Sequence, residues 1–163
     1  MLTTNTHLFF YATSEIYSNW HPCRFRYDNM VFSNSEQAMM YAKAKLMKDE
    51  ASIIKIKKQP DPYLVKRLGR KISPWNESLW ISKRLALVSD ICYAKFSSNE
   101  EFKKTLLDTD DLILVEASAN DKIWGIGLDE TQPEIHNKKK WKGLNLLGQA
   151  LMNARERIRN EIS

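Results

Sequence analysis

Cysteine, glycine and proline are all scarce in this sequence, and their scarcity excludes several classes of protein. The 163 residues include only 2 Cys, 5 Gly and 5 Pro. Two cysteines, Cys23 and Cys92, are too few and too far apart for a disulfide framework or a zinc knuckle. The low glycine and proline content excludes a collagen-like or low-complexity chain. We therefore expect a compact protein without a structural metal.

Long apolar runs and a leader segment are also missing. No apolar stretch approaches the ~20 residues that a membrane-spanning helix needs. The first residues, Met1 to His7, lack the basic region and the apolar stretch of a signal peptide. These features predict a soluble, cytoplasmic protein that does not enter membranes.

Several familiar catalytic motifs are absent as well. The sequence contains no G-x-S-x-G, H-E-x-x-H or P-loop motif. Its three histidines, His7, His21 and His136, stand apart from one another and favour no metal site. Metal-dependent chemistry is therefore disfavoured, and an acid-assisted reaction that needs no cofactor fits what remains.

The composition predicts one domain over residues 1–163, with 43% hydrophobic and 28% charged residues. The net charge of +5 is unevenly distributed. Residues 43–84 carry twelve Lys or Arg against four acids, residues 99–134 carry ten acids against three Lys, and residues 135–163 return to +5. This alternation is typical of a solvated surface around a dipolar site. It is also compatible with a basic cleft that attracts a phosphorylated or nucleic-acid substrate.

The residue patterns predict a helix-dominated α+β domain with a small sheet. Residues 8–11 and 25–32 indicate short strands, the second segment turning at Asp28-Asn29. Helices are predicted after the sequence Ser33–Glu36, over about 49–58, from 63 to a Gly69 C-cap, over 76–97, over about 99–107 and along the final apolar stripe from Leu147. Residues 111–118 indicate a buried strand. The fold therefore combines several helices with few strands.

Glu36 is the first carboxylate of interest. It completes the S-x-x-E spacing of a capping box that begins at Ser33, where a carboxylate needs no further function. Lys43 lies seven residues on, about two turns along the same helical face. An acid and an amine on one wall would suit proton transfer, substrate anchoring or attack on a sugar carbon. Spacing alone favours the capping role.

The segment from Glu116 to Gly127 follows an apolar strand and concentrates polar and aromatic residues in a loop. Loops at strand ends commonly carry function, and this one contains Asp121 and Trp124. Trp124 would suit stacking on a planar base, and Gly125 would let a ligand approach the backbone. A tight turn around a core tryptophan explains the same residues equally well.

The segment Gly143-Leu144-Asn145-Leu146-Leu147-Gly148 lies at a predicted helix start. Asn145 suits an N-cap, and the free N–H groups of a helix start favour anions such as phosphate. The spacing G-x-N-x-x-G is not the dinucleotide fingerprint, and no βαβ unit surrounds it. Propensity alone favours a plain helix cap.

Five segments, taken in order, resemble one known family. They are Tyr17–Trp20, Ser33–Lys43, Leu68–Arg70, Leu114–Gly127 and Gly143–Met152. The resemblance runs from about Phe10 to Arg157, so the whole chain resembles the NADAR, or YbiA-like, family of N-glycosidases. It implies the α+β fold of that family and the hydrolysis of a bond between a sugar carbon and a base nitrogen.

The resemblance also implies substrates and site residues. Known substrates of the family are phosphorylated ribosylamino-pyrimidine intermediates of riboflavin synthesis and ADP-ribose attached to guanine in nucleic acid. The chain departs from some relatives at Trp20, where they have Phe, and at Gln37, where His occurs, and both changes bear on substrate choice. The residues carried over by position are Glu36, Lys43, Trp80 (with Trp75 as a rival), Asp121 and Trp124, supported by Asn19, Gly69, Arg70, Gly125 and Asn145.

The chemistry of an N-glycoside suits these residue types. Its cleavage develops positive charge on the sugar and negative charge on the departing base. We assign two roles to Glu36 and Asp121. One carboxyl group stabilises the cation and activates water, and the other protonates the departing base; which residue has which role stays open. Trp80 and Trp124 would stack on the base, and Arg70 would bind a phosphate. Lys43 would anchor a phosphate or trap the opened sugar as a Schiff base.

Three functions remain as hypotheses. The basic stretch 43–84 favours ADP-ribosylated nucleic acid as the substrate, because a polyanion must approach the site. A phosphorylated N-riboside is the alternative substrate. A non-catalytic module that binds ADP-ribose or nucleic acid is the alternative from another class, although Glu36 and Asp121 would repel such a ligand.

Overall fold

The computed structural model describes residues Met1 to Ser163, which form six α-helices and two small sheets. The helices are α1 (Ser35–Leu46), α2 (Glu50–Lys57), α3 (Pro62–Gly69), α4 (Glu77–Ser97), α5 (Glu100–Leu107) and α6 (Leu146–Ile162). The strands are β1 (Leu2–Thr3), β2 (His7–Phe10), β3 (Phe25–Tyr27), β4 (Met30–Phe32) and β5 (Ile113–Glu116). The predicted helix-rich α+β class is confirmed. None of the helices has the length and the apolar character to cross a membrane.

The larger sheet brings the start of the chain beside its later loops. Its strand order is β1-β2-β5, with β2 parallel to β5 and Phe10 opposite Glu116. Parallel pairing places the carboxyl ends of both strands at one edge, a common position for binding sites in such sheets. Tyr11 and Glu116 therefore lie at the same edge. The smaller sheet is the predicted hairpin, and both turn residues, Asp28 and Asn29, have positive φ.

The main core lies between α1, α4 and α6 and the inner face of the larger sheet. The apolar stripe of α6, which the sequence predicts, is buried there with the inward residues of α4: Leu147, Leu151, Ala154 and Ile158 of α6, and Trp80, Val88, Ile91 and Cys92 of α4. Alternation along the strands sends Phe9 and Val115 into a smaller cluster on the other face of the sheet. The two clusters fix the sheet edge from both sides.

The capping of α1 differs from the predicted capping box. The N-cap is Asn34, whose side chain accepts a hydrogen bond from the Gln37 backbone N–H at 2.8 Å. The Gln37 side chain in turn accepts one from the Ser33 backbone N–H at 2.9 Å. The N-cap is therefore one residue later than the S-x-x-E spacing predicts, and Gln37 rather than Glu36 accepts the hydrogen bond from the Ser33 N–H. The capping role predicted for Glu36 is wrong, and its carboxylate is free for another use.

Gly69 also differs from its predicted role as a C-cap. It is the last residue of α3, and Arg70 occupies the C-cap position in a right-handed conformation. A Cβ atom on Gly69 would lie 2.0 Å from the Met40 sulfur. Close packing of α3 on α1, rather than a left-handed turn, therefore requires glycine here.

Candidate active site

A cavity with a volume of about 1010 Å³ opens where α1, α3 and the sheet edge meet. Seven of the ten residues that the sequence assigns to the site line this cavity: Asn19, Glu36, Lys43, Gly69, Arg70, Asp121 and Trp124. They come from four separate parts of the chain. The fold therefore assembles a mixed acidic, basic and aromatic surface that no single segment carries.

Glu36 lies at the second position of α1 and is only 4% exposed. Its backbone N–H donates to the Asn19 carbonyl at 2.9 Å, which joins the helix start to the neighbouring loop. Burial raises the pKa of Glu36 to about 7, and the nearby Asp121 carboxylate acts in the same direction, whereas Lys66 and Lys43 oppose it. A glutamate that titrates near neutral pH suits proton transfer.

The loop that carries Asn19 and Trp20 is anchored by a buried lysine of α4. The Lys95 Nζ donates to the Ile16 carbonyl at 2.5 Å and to the Ser18 carbonyl at 3.0 Å. Burial lowers the pKa of this lysine to about 8. The anchored loop places Asn19 and Trp20 on the cavity wall. Of the two sequence departures noted above, only Trp20 faces the site.

Asp121 lies in the loop after β5, and its orientation is fixed by its own backbone. Its Oδ1 accepts hydrogen bonds from the N–H groups of Ile123 at 2.9 Å and Trp124 at 2.8 Å. Both bonds use the same oxygen, so the second carboxylate oxygen keeps its capacity for a ligand. The same turn holds Trp124 on the cavity wall, where it is 8% exposed.

Lys43 lies on the same wall as Glu36 and contacts two tryptophans. Its Nζ is 5.1 Å from the ring centroid of Trp80 and 5.8 Å from that of Trp75. Burial lowers the pKa of Lys43. Trp75, the rival in the sequence analysis, lines the cavity, whereas Trp80 lies in the core behind Lys43. A ligand in the cavity therefore does not reach Trp80 for direct stacking.

Gly125 does not line the cavity either. A Cβ atom on Gly125 would lie 3.0 Å from the carbonyl oxygens of Asp121 and Glu116. The tight loop itself therefore requires glycine, and the expected approach of a ligand to this backbone has no room.

Asn145 occupies the predicted N-cap position of α6, but its side chain has a different role. Its φ is 54°, and its side chain makes no capping bond. Its Oδ1 instead accepts from the Glu116 N–H at 3.0 Å, and its Nδ2 donates to the Leu114 carbonyl at 3.0 Å. Asn145 therefore fastens the end of β5 from behind the cavity.

The start of α6 offers no phosphate site at its first N–H groups. Those of Asn145, Leu146 and Leu147 donate to the carbonyls of Gly125, Ile123 and Trp124, respectively, at 3.0–3.1 Å. Intramolecular hydrogen bonds therefore satisfy the donors that an anion would need. The alternative of anion binding at this helix start therefore has no free donor at these three positions.

Glu116 is a cavity residue that the sequence analysis left out of the site. It is the last residue of β5, and its Oε2 is buried without a hydrogen-bond partner. Burial, followed by the charges of Asp121 and Glu36, raises its pKa to about 8, while Lys66 acts in the opposite direction. Its place at the end of an apolar strand is the sequence signal that could have identified it.

Three exposed cations surround the cavity mouth. They are Lys66 and Arg70 from α3 and its C-cap, and Lys122 from the loop after β5. None of them forms an ion pair with a side chain of the protein. Their charges are therefore available to an anionic ligand, as predicted for Arg70.

Comparison with known proteins identifies relatives along almost the whole chain. The protein irg-1 of Caenorhabditis elegans is 36% identical over 171 residues, covering 95% of this chain and 81% of that protein. An N-glycosidase of Acanthamoeba polyphaga mimivirus is 36% identical over 166 residues, covering 95% of this chain and 98% of the relative. The N-glycosidase YbiA of Escherichia coli K12 is 30% identical over 152 residues, covering 91% of this chain and 86% of YbiA.

The fold is also similar to a solved structure. The NMR structure of Escherichia coli YbiA matches with a TM-score of 0.80 and 28% identity, covering 99% of this chain and 89% of that chain. The sequence model of the NADAR domain matches residues 9–159. The resemblance noted in the sequence is thereby confirmed, and this chain belongs to the NADAR domain family.

Proposed function

We propose that this protein is an N-glycosidase that hydrolyses the bond between a sugar carbon and a base nitrogen, with water as the only co-reactant. The observation that carries the proposal is the buried Glu36 carboxyl in a cavity that it shares with Asp121. Two carboxyl groups in different environments are the usual equipment for acid-assisted cleavage of a glycosidic bond. The N-glycosidase relatives support the same reaction.

Glu36 and Asp121 supply the carboxyl groups for the reaction. A carboxylate beside the sugar carbon stabilises the positive charge that develops there and accepts the proton of the attacking water. Asp121 suits this task because two backbone N–H groups hold one of its oxygens in place. Glu36 suits proton exchange because its pKa lies near neutral pH.

Aromatic and basic residues bind the remainder of the substrate. Trp124 and Trp75 line the cavity and offer flat surfaces on which a base can stack. Arg70 at the mouth binds a phosphate through its planar guanidinium group. Trp80 contributes indirectly, since it holds the Lys43 side chain against the wall.

The substrate we propose is ADP-ribose attached to guanine in nucleic acid. The cavity lies at the upper end of the ~300–1,000 Å³ typical of small-molecule sites, which suits a ligand larger than a mononucleotide. The unpaired cations Lys66, Arg70 and Lys122 at the mouth suit a substrate that carries several phosphates. A phosphorylated N-riboside is the second substrate to test.

The test supplies purified protein with guanine-ADP-ribosylated DNA and, separately, with a ribosylamino-pyrimidine phosphate. Mass spectrometry follows the released sugar and base, with Glu36→Gln and Asp121→Asn measured in parallel. We expect release from the DNA adduct by the wild type and a rate lower by about 100-fold or more in either variant. Release only from the small riboside would overturn the proposed substrate. Binding of the DNA without any release would identify a binding module instead.

A further inference from the structure

Glu116 has an unusual environment for a carboxyl group in a folded protein. Its Oε2 and the Ser35 hydroxyl are the only two buried side-chain oxygen or nitrogen atoms of the chain that lack a hydrogen-bond partner. Nearly all buried polar atoms in native proteins have one, so an exception calls for an explanation. Because Glu116 lines the cavity, its carboxyl group lies beside the space that a bound substrate would occupy.

The backbone of Glu116 is fixed on three sides. Its N–H donates to Asn145 Oδ1 at 3.0 Å, and its carbonyl accepts from the Ile126 N–H at 3.0 Å. The parallel register of the sheet sets it opposite Phe10. A carboxyl group on so rigid a support keeps its position relative to the cavity, as catalytic groups require.

The charged groups around Glu116 favour its protonated form. Glu36 faces it from α1, Asp121 from the loop after β5, and Lys66 from α3. Burial has the largest effect on the pKa of Glu116, and the two carboxylates, which outweigh the single ammonium, add to it. Neighbouring carboxyl groups in a shared site cannot all ionise without a large electrostatic cost, so one of them retains a proton.

We propose that Glu116 is the catalytic acid that protonates the departing base nitrogen, while Glu36 and Asp121 act on the sugar and the attacking water. This inference rests on the proposed N-glycosidase function and adds a third carboxyl group to it. An acid that is neutral at physiological pH is the form that can donate a proton at the moment of bond cleavage.

The proposed step balances as a hydrolysis. The bond between the sugar carbon and the base nitrogen breaks, and its electron pair goes to the nitrogen, which takes the proton of the Glu116 carboxyl. The oxygen of water bonds to the sugar carbon, and one proton of that water passes to the carboxylate of Asp121. Transfer of this proton back to Glu116 through solvent restores the starting state. Water is consumed, and the free base and sugar are the products.

The test compares Glu116→Gln with the wild type and with Glu134→Gln, an exposed glutamate outside the cavity. For Glu116→Gln we expect kcat to fall by about 100-fold or more, with KM changed by less than about threefold. The alkaline decline of kcat in the wild type, where Glu116 loses its proton, should disappear from the residual activity. Glu134→Gln should match the wild type in both measurements.

A second variant separates chemistry from structure. Glu116→Asp retains a carboxyl group, so it should keep at least about tenfold more activity than Glu116→Gln if the proton is what matters. Equal losses in the two variants, or a Glu116→Gln kcat within threefold of the wild type with an unchanged alkaline decline, would overturn the role of Glu116 alone. A wild-type protein that releases no base would instead overturn the proposed function.

Discussion

The Lys43 ammonium lies 5.1 Å from the centroid of the Trp80 ring and shares the cavity wall with Glu36. The indole face attracts a cation, whereas burial lowers the pKa of the amine. Trp75, at 5.8 Å, contacts Lys43 from the cavity side. The amine is thus held at a fixed place beside the acids, with a larger neutral fraction than an ordinary lysine. A neutral amine is the form that attacks a sugar aldehyde.

The first prediction concerns covalent capture by Lys43. In the presence of substrate and cyanoborohydride, we expect the wild-type protein to gain the mass of the reduced sugar adduct on Lys43. Lys43→Arg keeps a cation but has no nucleophilic amine, so it should gain no adduct of the released sugar. Lys45→Arg, two residues away and exposed, is the control. A wild-type protein that gains no adduct would contradict this role.

The second prediction concerns Trp75. Trp75→Ala removes a partly exposed indole from the cavity wall, and stacking on a base is worth about 1–3 kcal/mol, so KM should rise by about tenfold or more. Steady-state kinetics measures the change. Tyr63→Ala removes a more exposed aromatic ring outside the cavity and should leave KM unaltered. Equal KM values for Trp75→Ala and the wild type would show that the base stacks elsewhere.

The sequence predicted the elements well because their signals are local. The apolar stripe of α6, the Asp28-Asn29 turn and the long helix α4 all follow from spacing and from residue preferences for backbone conformation. Glu36 was identified as a candidate for a similar reason. Its predicted use as a cap failed, since Asn34 and Gln37 satisfy the same spacing rule one residue later.

What the sequence could not supply depends on tertiary contacts. Trp75 and Trp80 lie on either side of a helix start, and only the packing of α4 on α1 decides which of them faces the cavity. In the sequence, Asn145 looks like an ordinary helix cap. Its side-chain bonds to β5 connect residues about thirty positions apart, so no local pattern indicates them. Glu116 lies in one of the segments that resemble the family, but its importance depends on neighbours from three other segments.

The third prediction concerns the two hydrogen bonds between the Asn145 side chain and the end of β5. Asn145→Ala would leave the Glu116 N–H and the Leu114 carbonyl without their side-chain partners in a buried environment. The free energy of unfolding should fall by about 2–6 kcal/mol, since each of the two unsatisfied groups costs about 1–3 kcal/mol. Urea denaturation measures this change. Asn160→Ala, exposed on the same helix, should shift it by less than about 0.5 kcal/mol, and equal effects would contradict the account.

The fourth prediction concerns the dependence of stability on pH. Glu36 and Glu116 have folded-state pKa values near 7 and 8, against 4.5 for an ordinary glutamate, so the folded protein binds more protons than the unfolded chain between these values. Their contribution to stability is therefore greatest below pH 4.5 and is lost as the pH rises to 7 for Glu36 and to 8 for Glu116. Each group contributes at most about 1.4 kcal/mol per pH unit.

Glu116→Gln should consequently be more stable than the wild type at pH 8 and should show a flatter stability profile. Glu134→Gln serves as the control, because its side chain is exposed. Thermal denaturation at a series of pH values measures both effects. A Glu116→Gln variant less stable than the wild type at pH 8 would show that the carboxylate, rather than the neutral acid, suits this position.

We propose that the carboxyl groups of this cavity hydrolyse a sugar–base bond. Analysis of the products from one defined substrate is the decisive experiment. A DNA strand with a single ADP-ribosylated guanine is incubated with the wild type and with Glu36→Gln. Mass spectrometry then identifies and quantifies the released sugar and the remaining DNA strand. The account predicts equal amounts of free ADP-ribose and of a strand with intact, unmodified guanine, formed about 100-fold or more slowly by Glu36→Gln. Equal rates for the two proteins would contradict catalysis by these carboxyl groups, and an unchanged modified strand would contradict the proposed substrate.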